Sequence, residues 1–285
     1  MLYASAFRDL VSGRRRGAGA AALRTVLRGA EFGYAAAMRS RNYLYDCGRL
    51  PVERVAAPVI SVGNITLGGT GKTPMVEWIA RWYRDRGVRV ALVSRGYGAE
   101  QGGANDEALE LEERLPDVPH VQNVDRVAAS KMAVEEFETQ LIVLDDGFQH
   151  RRLARDLDIV LIDALEPFGY EHVFPRGALR EPLSGLSRTN VVALSRSDLV
   201  DASERAAIRT RVERFAADAM WIELEHRPRR LVAADGRHEP LESLAGRRIA
   251  GFCGIGNPAG FRHTLSRVGA EVVELREFPD HHAYS

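Results

Sequence analysis

The sequence of 285 residues has little cysteine, no excess of charge of either sign and no long apolar run. Its two cysteines, Cys47 and Cys253, lack a C-x-x-C spacing, so neither a disulfide framework nor a zinc site is indicated. Lysine plus arginine equals aspartate plus glutamate at 39 each, so no global field draws the chain to nucleic acid. No stretch reaches the roughly 20 apolar residues of a membrane span. These absences indicate a cytoplasmic protein that is not integral to a membrane.

Apolar runs bounded by turn signals recur along the chain after Pro51, and helical patterns separate most of them. The runs are continuous and do not alternate with polar residues, as is typical of strands buried on both faces. This alternation of strands and helices predicts an α/β fold, with a mostly parallel sheet covered by helices on both sides. The predicted strands are 58–62, 88–93, 141–144, 159–162, 190–194 and 249–253.

A glycine-rich loop follows the first predicted strand, and a helical pattern begins at Met75. Backbone N–H groups of such a loop point at phosphates, and the helix dipole favours their charge. Lys72 would reach the β- and γ-phosphates of ATP, and Thr73 could ligate Mg²⁺. Thr66 stands where the strict G-x-x-x-x-G-K-[ST] pattern has glycine. The predicted ATP-binding residues are Thr66, Leu67, Gly68, Gly69, Thr70, Gly71, Lys72 and Thr73.

Two carboxylates, Asp145 and Asp146, end the predicted strand 141–144. P-loop folds place the acidic residue that holds Mg²⁺ or its water shell at this position. A phosphate loop upstream makes the carboxyl end of this strand the active edge of the sheet. We therefore expect a P-loop NTPase-type fold with Asp145 and Asp146 as metal residues; the alternative is an ordinary strand end with a helix cap.

Changes of composition along the chain predict four segments. Residues 1–50 are predicted to form basic amphipathic helices, and 51–225 a P-loop domain. Over residues 226–245 the alternation of strands and helices gives way to short polar strands and turns. We interpret this segment as a β linker. A smaller C-terminal α/β lobe then occupies 246–285.

Five motifs occur in a fixed order along most of the chain. They are Ser61–Asn64 continuing into Gly68–Pro74, Ser94–Gly98, Asp145–His150, Gly177–Pro182 and Phe278–His282. In this order they resemble the tetraacyldisaccharide 4'-kinase family of lipid A biosynthesis. The resemblance implies an enzyme that uses ATP and Mg²⁺ to phosphorylate the 4'-hydroxyl of a tetraacylated glucosamine disaccharide 1-phosphate. It also implies a peripheral location at the cytoplasmic face of the inner membrane, with a lipid disaccharide as the partner.

The resemblance also implies roles for individual residues. Asp106 resembles the family's catalytic base and would pair with His281, because a sugar hydroxyl needs a group that accepts its proton. Arg180 would offset charge on the transferred phosphoryl group, and Glu181 would support the metal or the lysine. The remaining predicted site residues are Glu107, Gln149, Lys72, Asp145 and Asp146.

Two features depart from the family pattern. The family continues beyond its Asp-His-His run for several elements, whereas this chain ends at Ser285, so the C-terminal lobe looks truncated. Ala108 also stands where the family usually has proline after its Asp-Glu pair.

Three other interpretations use the same loop. Dimeric partitioning and metal-delivery ATPases carry an extra lysine, but Leu67 stands at that place. A non-catalytic nucleotide-binding membrane scaffold would need the loop without Asp106 or His281. The run Ser195–Asp198 partly matches the base-reading [NT]-K-x-D motif of GTPases but lacks its first residue and its lysine, which favours a helix N-cap.

Basic residues dominate the first 41 positions, with a cluster at Arg14–Arg16 and few acidic side chains. Helices with such a face could lie on an anionic membrane surface or could cap the sheet with a solvated side. No obligate protein partner is evident from the sequence.

Overall fold

The computed structural model describes residues 4–96, 106–255 and 258–278. The chain divides into two compact units, Met1–Leu224 and Glu225–Ser285. Within the described residues, the first unit is built on a seven-stranded sheet of order β3-β2-β4-β1-β5-β6-β7, and all its neighbouring strands pair in parallel. The strands are β1 Val59–Asn64, β2 Val90–Ser94, β3 His120–Gln122, β4 Leu141–Asp145, β5 Leu157–Asp163, β6 Val191–Ser195 and β7 Met220–Glu223.

Helices of the first unit cover both faces of this sheet. They are α1 Ala4–Val11, α2 Ala18–Asp46, α3 Lys72–Arg84, α4 Asp106–Arg114, α5 Arg126–Phe137 and α6 Ala202–Glu213. Helices α3 and α4 pack on one face, and α5 and α6 pack on the other. In β4, for example, Val143 packs with α3 and Leu144 packs with α5. Both strand faces are therefore buried, which explains the continuous apolar runs and confirms the predicted fold class.

The long helix α2 reaches the segment after β5 that carries two predicted site residues. The Tyr34 hydroxyl donates to the Arg180 carbonyl at 3.0 Å, and the Asn42 amide donates to Glu181 Oε2 at 2.7 Å. Helix α2 thus belongs to the framework of the site. None of the helices in the described ranges combines the length and the apolar character that crossing a bilayer would require.

The strands that the sequence misses are short or lie at edges. Strand β3 has three residues, and β7 is partly exposed and begins and ends with exposed residues. Neither offers the long apolar run that marks a central strand. The run Ser195–Asp198, predicted as a helix N-cap, leads into a short 3₁₀ helix, Ser197–Leu199, with Arg196 at the N-cap position and no side-chain cap bond; Asp201 caps α6 and forms a capping box with Glu204.

The described part of the second unit, residues 225–255 and 258–278, contains two small sheets. Strands β8 Leu231–Val232 and β9 His238–Glu239 pair antiparallel, and β10 Arg248–Cys253 pairs in parallel with β11 Glu271–Glu277. Helix α7 Pro258–Arg267 connects β10 to β11. The finer division of the chain at residues 50 and 245 stays a prediction.

Candidate active site

The glycine loop joins the carboxyl end of β1 to the first turn of α3, where the sequence predicts it. Gly68 and Gly71 have φ values of 115° and 84°, which only glycine adopts readily. Gly71 is the N-cap residue before Lys72, the first residue of α3, and as a glycine it has no side chain that could cap this helix end. The first N–H groups of α3 are therefore available to an anion.

The loop is paired along one edge with the segment that precedes Arg180. Thr66 forms an antiparallel bridge with Leu179, and the Arg180 N–H donates to the Ile65 carbonyl at 2.8 Å. These backbone bonds fix the start of the loop and place Arg180 beside it. The position of the Arg180 side chain is thus tied to that of the loop.

A buried asparagine, Asn64, holds the loop in place by hydrogen bonds. The Asn64 amide donates to the Gly68 carbonyl at 3.2 Å and to Thr70 Oγ1 at 3.1 Å. The Gln149 amide donates in turn to the Asn64 carbonyl at 3.0 Å. Gln149 therefore supports the loop through Asn64.

Three charged side chains meet where the loop enters α3. Arg180 Nη1 contacts both Asp146 carboxylate oxygens, at 2.7 and 2.8 Å, and Lys72 Nζ lies 3.6 Å from Asp146 Oδ1. Burial alone would raise the pKa of Asp146, but the charges of Lys72 and Arg180 outweigh it and hold this pKa below its ordinary value. Asp146 is thus an ionised carboxylate between two cations at the phosphate loop.

Asp145 is buried at the end of β4, beside this cluster. A further cation, Arg126, lies nearly buried at the start of α5, and Arg126 Nη1 donates to His150 Nδ1 at 3.2 Å. Burial and the positive charges of Arg126 and Arg155 lower the pKa of His150 to about 4. The sequence assigns no role to Arg126, because nothing nearby in the sequence marks it as part of the site.

Glu181 is fully buried, unlike Asp146. Arg188 Nη2 donates to Glu181 Oε1 at 2.6 Å and Arg188 Nη1 to Oε2 at 2.9 Å, while the amides of Asn42 and Gln149 donate to the same carboxylate. Burial would raise the pKa of Glu181, but the bonds from Arg188 keep it below its ordinary value. The metal role predicted for Glu181 would require at least one of these bonds to be given up.

The predicted base lies at the first residue of a helix. Asp106 and Glu107 begin α4, whereas His281 falls outside the described residues. The pairing of Asp106 with His281 stays a prediction.

The family model of tetraacyldisaccharide-1-P 4'-kinase matches residues 23–285 of this chain, which include the loop, the Asp145–Asp146 pair and Arg180. The chain belongs to this family. A tetraacyldisaccharide 4'-kinase of Anaeromyxobacter sp. (strain K) is 43% identical over 273 residues, which cover 90% of this chain and 72% of the relative. Its namesake from Chlorobaculum parvum is 38% identical over 279 residues, covering 91% and 76%.

A solved structure supports membership of the kinase family. This structure is LpxK from Aquifex aeolicus in its "apo" form in complex with ATP. It is 32% identical to this chain with a TM-score of 0.72, and the match covers 92% of this chain and 84% of that one.

The donor atoms at the carboxyl edge of β4 suit a hard cation. Asp145, Asp146 and the Thr73 hydroxyl offer oxygen ligands, as Mg²⁺ prefers. Among residues 4–96, 106–255 and 258–278, no group of three or more His, Cys, Asp or Glu side chains gathers as a ready metal site. Mg²⁺ in phosphate-transfer sites needs few protein ligands, since phosphates and waters supply the rest.

Proposed function

We propose that this chain transfers the γ-phosphate of ATP to the 4'-hydroxyl of a tetraacyldisaccharide 1-phosphate. Membership of the kinase family supports the reaction. The observation that carries the proposal is the cluster of Lys72, Asp146 and Arg180 at the open N-terminus of α3. Two cations and a row of N–H groups at one helix end suit a nucleoside triphosphate.

In this mechanism, the loop N–H groups and Lys72 bind the β- and γ-phosphates. Arg180 contacts the transferred phosphoryl group, where it stabilises the charge that develops during transfer. Asp146 holds Lys72 and Arg180 together before the nucleotide arrives. The entering phosphates then offer both cations a second anionic partner.

Thr73, Asp145 and Asp146 would hold Mg²⁺, since their oxygens fit this ion and Asp146 is kept ionised. Held there, the ion would supply positive charge that neutralises part of the charge on the phosphates. Asp145 and Asp146 come from one strand end, so the sheet itself sets their position.

The proposed base is Asp106, supported by His281. The 4'-hydroxyl gives its proton to the Asp106 carboxylate while its oxygen bonds to the γ-phosphorus. The bond from that phosphorus to the β,γ-bridging oxygen breaks, and ADP leaves with the electron pair.

The Asp106→Ala and His281→Ala variants should each lower kcat by roughly 10²-fold, and the double variant should be little worse, because groups that act as a unit are not additive. Losses that multiply would contradict this pairing.

The composition of the chain allows a sharp test of Lys72. The sequence contains two lysines, Lys72 and Lys131, and Lys131 pairs with Glu53 at 2.8 Å. Lys72→Ala should lower kcat roughly 10³-fold, because it removes a charge used in the transition state. Lys131→Ala is the matched control and should leave kcat unchanged. Near-normal transfer by the Lys72 variant would overturn the proposed function.

Chemical modification gives an independent readout on the same two lysines. An amine-reactive reagent should label both, and ATP should protect Lys72 but not Lys131. A single-turnover assay with the lipid acceptor separates a kinase from a nucleotide-binding scaffold, because a scaffold would show the protection without the transfer.

The N-terminal helices are the proposed contact with an anionic membrane surface at the cytoplasmic face of the inner membrane. Helix α2 exposes Val26 and Phe32 at 68% and 66%, and arginines such as Arg24 and Arg28 share the helix. Apolar side chains among cations suit an anionic bilayer surface.

Vesicle binding tests this contact. Binding to anionic vesicles should weaken as salt rises, and Phe32→Asp should weaken it further. Val124→Asp, at an equally exposed position outside these helices, is the control. Salt-independent binding that persists without residues 1–41 would make the segment structural only.

A further inference from the structure

A second arginine–carboxylate pair lies on the other side of the phosphate loop. Arg196 Nε donates to Asp163 Oδ1 at 2.8 Å, and Arg196 Nη2 donates both to Asp163 Oδ2 and to the Gly69 carbonyl, the latter at 2.9 Å. The two side chains are 13% and 15% exposed. One guanidinium thus connects the loop to the ends of β5 and β6.

Local backbone structure aims this arginine at the loop. Arg196 follows β6 directly and adopts a left-handed conformation with φ of 56°, which is uncommon for a residue with a side chain. Asp163 ends β5 and also accepts from the Leu165 N–H at 3.1 Å. The fork geometry fixes the guanidinium plane as well as its position.

The order of the strands shows which part of a nucleotide would lie near Arg196. Lys72, Asp146 and Arg180 gather toward β4, which neighbours β1 on one side. Strands β5 and β6 lie on the opposite side of β1. A nucleoside triphosphate with its γ-phosphate at Asp146 therefore extends its nucleoside away from β4, toward the edge where Arg196 stands.

We propose that Arg196, held by Asp163, contacts the nucleoside end of the bound ATP and fixes the loop against it. The proposal rests on the proposed function. Two guanidinium nitrogens of Arg196 donate hydrogen bonds to Asp163 and Gly69, which hold the guanidinium plane in one orientation. The face of this plane can then stack on a purine. The partial match of Ser195–Asp198 to a base-reading motif is consistent with this location.

The test compares ATP with inorganic tripolyphosphate, which has the phosphates but no nucleoside. Binding of each is measured by calorimetry on the full chain. Arg196→Ala should weaken ATP binding roughly tenfold or more, and tripolyphosphate binding by less than about threefold. Arg209→Ala, which removes an exposed arginine that pairs with Glu213, is the control and should change neither.

Two further variants keep the test decisive if Arg196→Ala does not fold. Arg196→Lys retains a cation that can reach Gly69 but loses the plane, and Asp163→Asn loosens the fork. In both variants, the fold increase in the KM for ATP should exceed the fold decrease in kcat. Both should also weaken the binding of ATP more than the binding of tripolyphosphate. The proposal would be overturned if the variants weakened the binding of ATP and of tripolyphosphate equally, or weakened neither. A wild-type chain that binds ATP but transfers no phosphate would instead count against the proposed function.

Discussion

Arg180 and Glu181 are neighbours in the sequence, yet they belong to two ion pairs of opposite character. Arg180 pairs with Asp146, whose side chain is 37% exposed, at the mouth of the phosphate loop. Glu181 is 0% exposed and pairs with Arg188. The two residues lie in a bend of the chain, and their side chains reach different partners, Arg180 at the phosphate loop and Glu181 in the interior.

This difference separates a pair that can exchange partners from a pair that cannot. An accessible arginine can leave its carboxylate when a phosphate arrives, because water and ligand compensate both charges. A buried arginine has no such replacement, and removing its partner leaves an uncompensated charge. We therefore expect the same chemical pair to serve ligand binding at Arg180 and stability at Glu181.

Loss of the partly exposed pair, Arg180 and Asp146, should give the largest effect on activity. Arg180→Ala should lower kcat roughly 10²- to 10³-fold, because the cation acts on charge that develops during transfer. The free energy of unfolding should change by less than about 1 kcal/mol, as is usual for accessible ion pairs. Steady-state kinetics and urea unfolding measure the two effects. A large loss of stability with normal turnover would reverse the comparison.

Loss of the buried pair should appear first in stability. Glu181→Gln should lower the free energy of unfolding by roughly 3 kcal/mol, because Arg188 remains buried without its counter-charge. The midpoint of urea unfolding should fall while its slope stays constant. If stability holds and the Mg²⁺ dependence of kcat shifts instead, the predicted metal role of Glu181 gains support.

The pH dependence of stability extends the comparison to His150, which accepts a hydrogen bond from Arg126 at the start of α5. Its folded pKa of about 4 lies below its unfolded value, so the unfolded chain binds the proton first as pH falls. Stability should therefore decrease between about pH 6.5 and pH 4, by at most about 1.4 kcal/mol per pH unit. His150→Gln should flatten this slope in unfolding measurements. An unchanged slope would show that other groups carry it.

A surface pair provides the smallest expected effect and the reference for the others. Arg209 and Glu213 are one helical turn apart on α6, and about half of each side chain is exposed. Arg209→Ala should change the free energy of unfolding by less than about 0.5 kcal/mol and leave kcat unaltered. A larger change would mean that exposure does not rank these pairs.

The parts of the site that the sequence predicts are those whose determinants are local. The loop can be predicted because Lys72 and Thr73 follow glycines at a strand-to-helix junction. Asp145 can be predicted because it ends an apolar strand. Arg188 and Arg196 escape prediction because their partners come from other segments. In a sequence rich in arginine, nothing in the neighbouring residues identifies which carboxylate a given arginine contacts in the folded protein.

The fold itself follows from central strands such as β1 and β4, whose burial on both faces leaves continuous apolar runs. The burial of Glu181 could not be read in the same way. Its surroundings depend on Asn42 in a distant helix, and a charged residue after Arg180 looks like surface in sequence. Long-range packing decided its environment.

The bridge between Thr66 and Leu179 has a consequence for how the chain reaches its native state. The phosphate loop lies early in the sequence, but its edge partner is made much later. Contacts between distant segments close slowly, since the entropy of a long loop must be overcome first. During synthesis, the glycine loop should remain unfinished until Leu179 has emerged, so ATP affinity appears late and reports that this unit has folded.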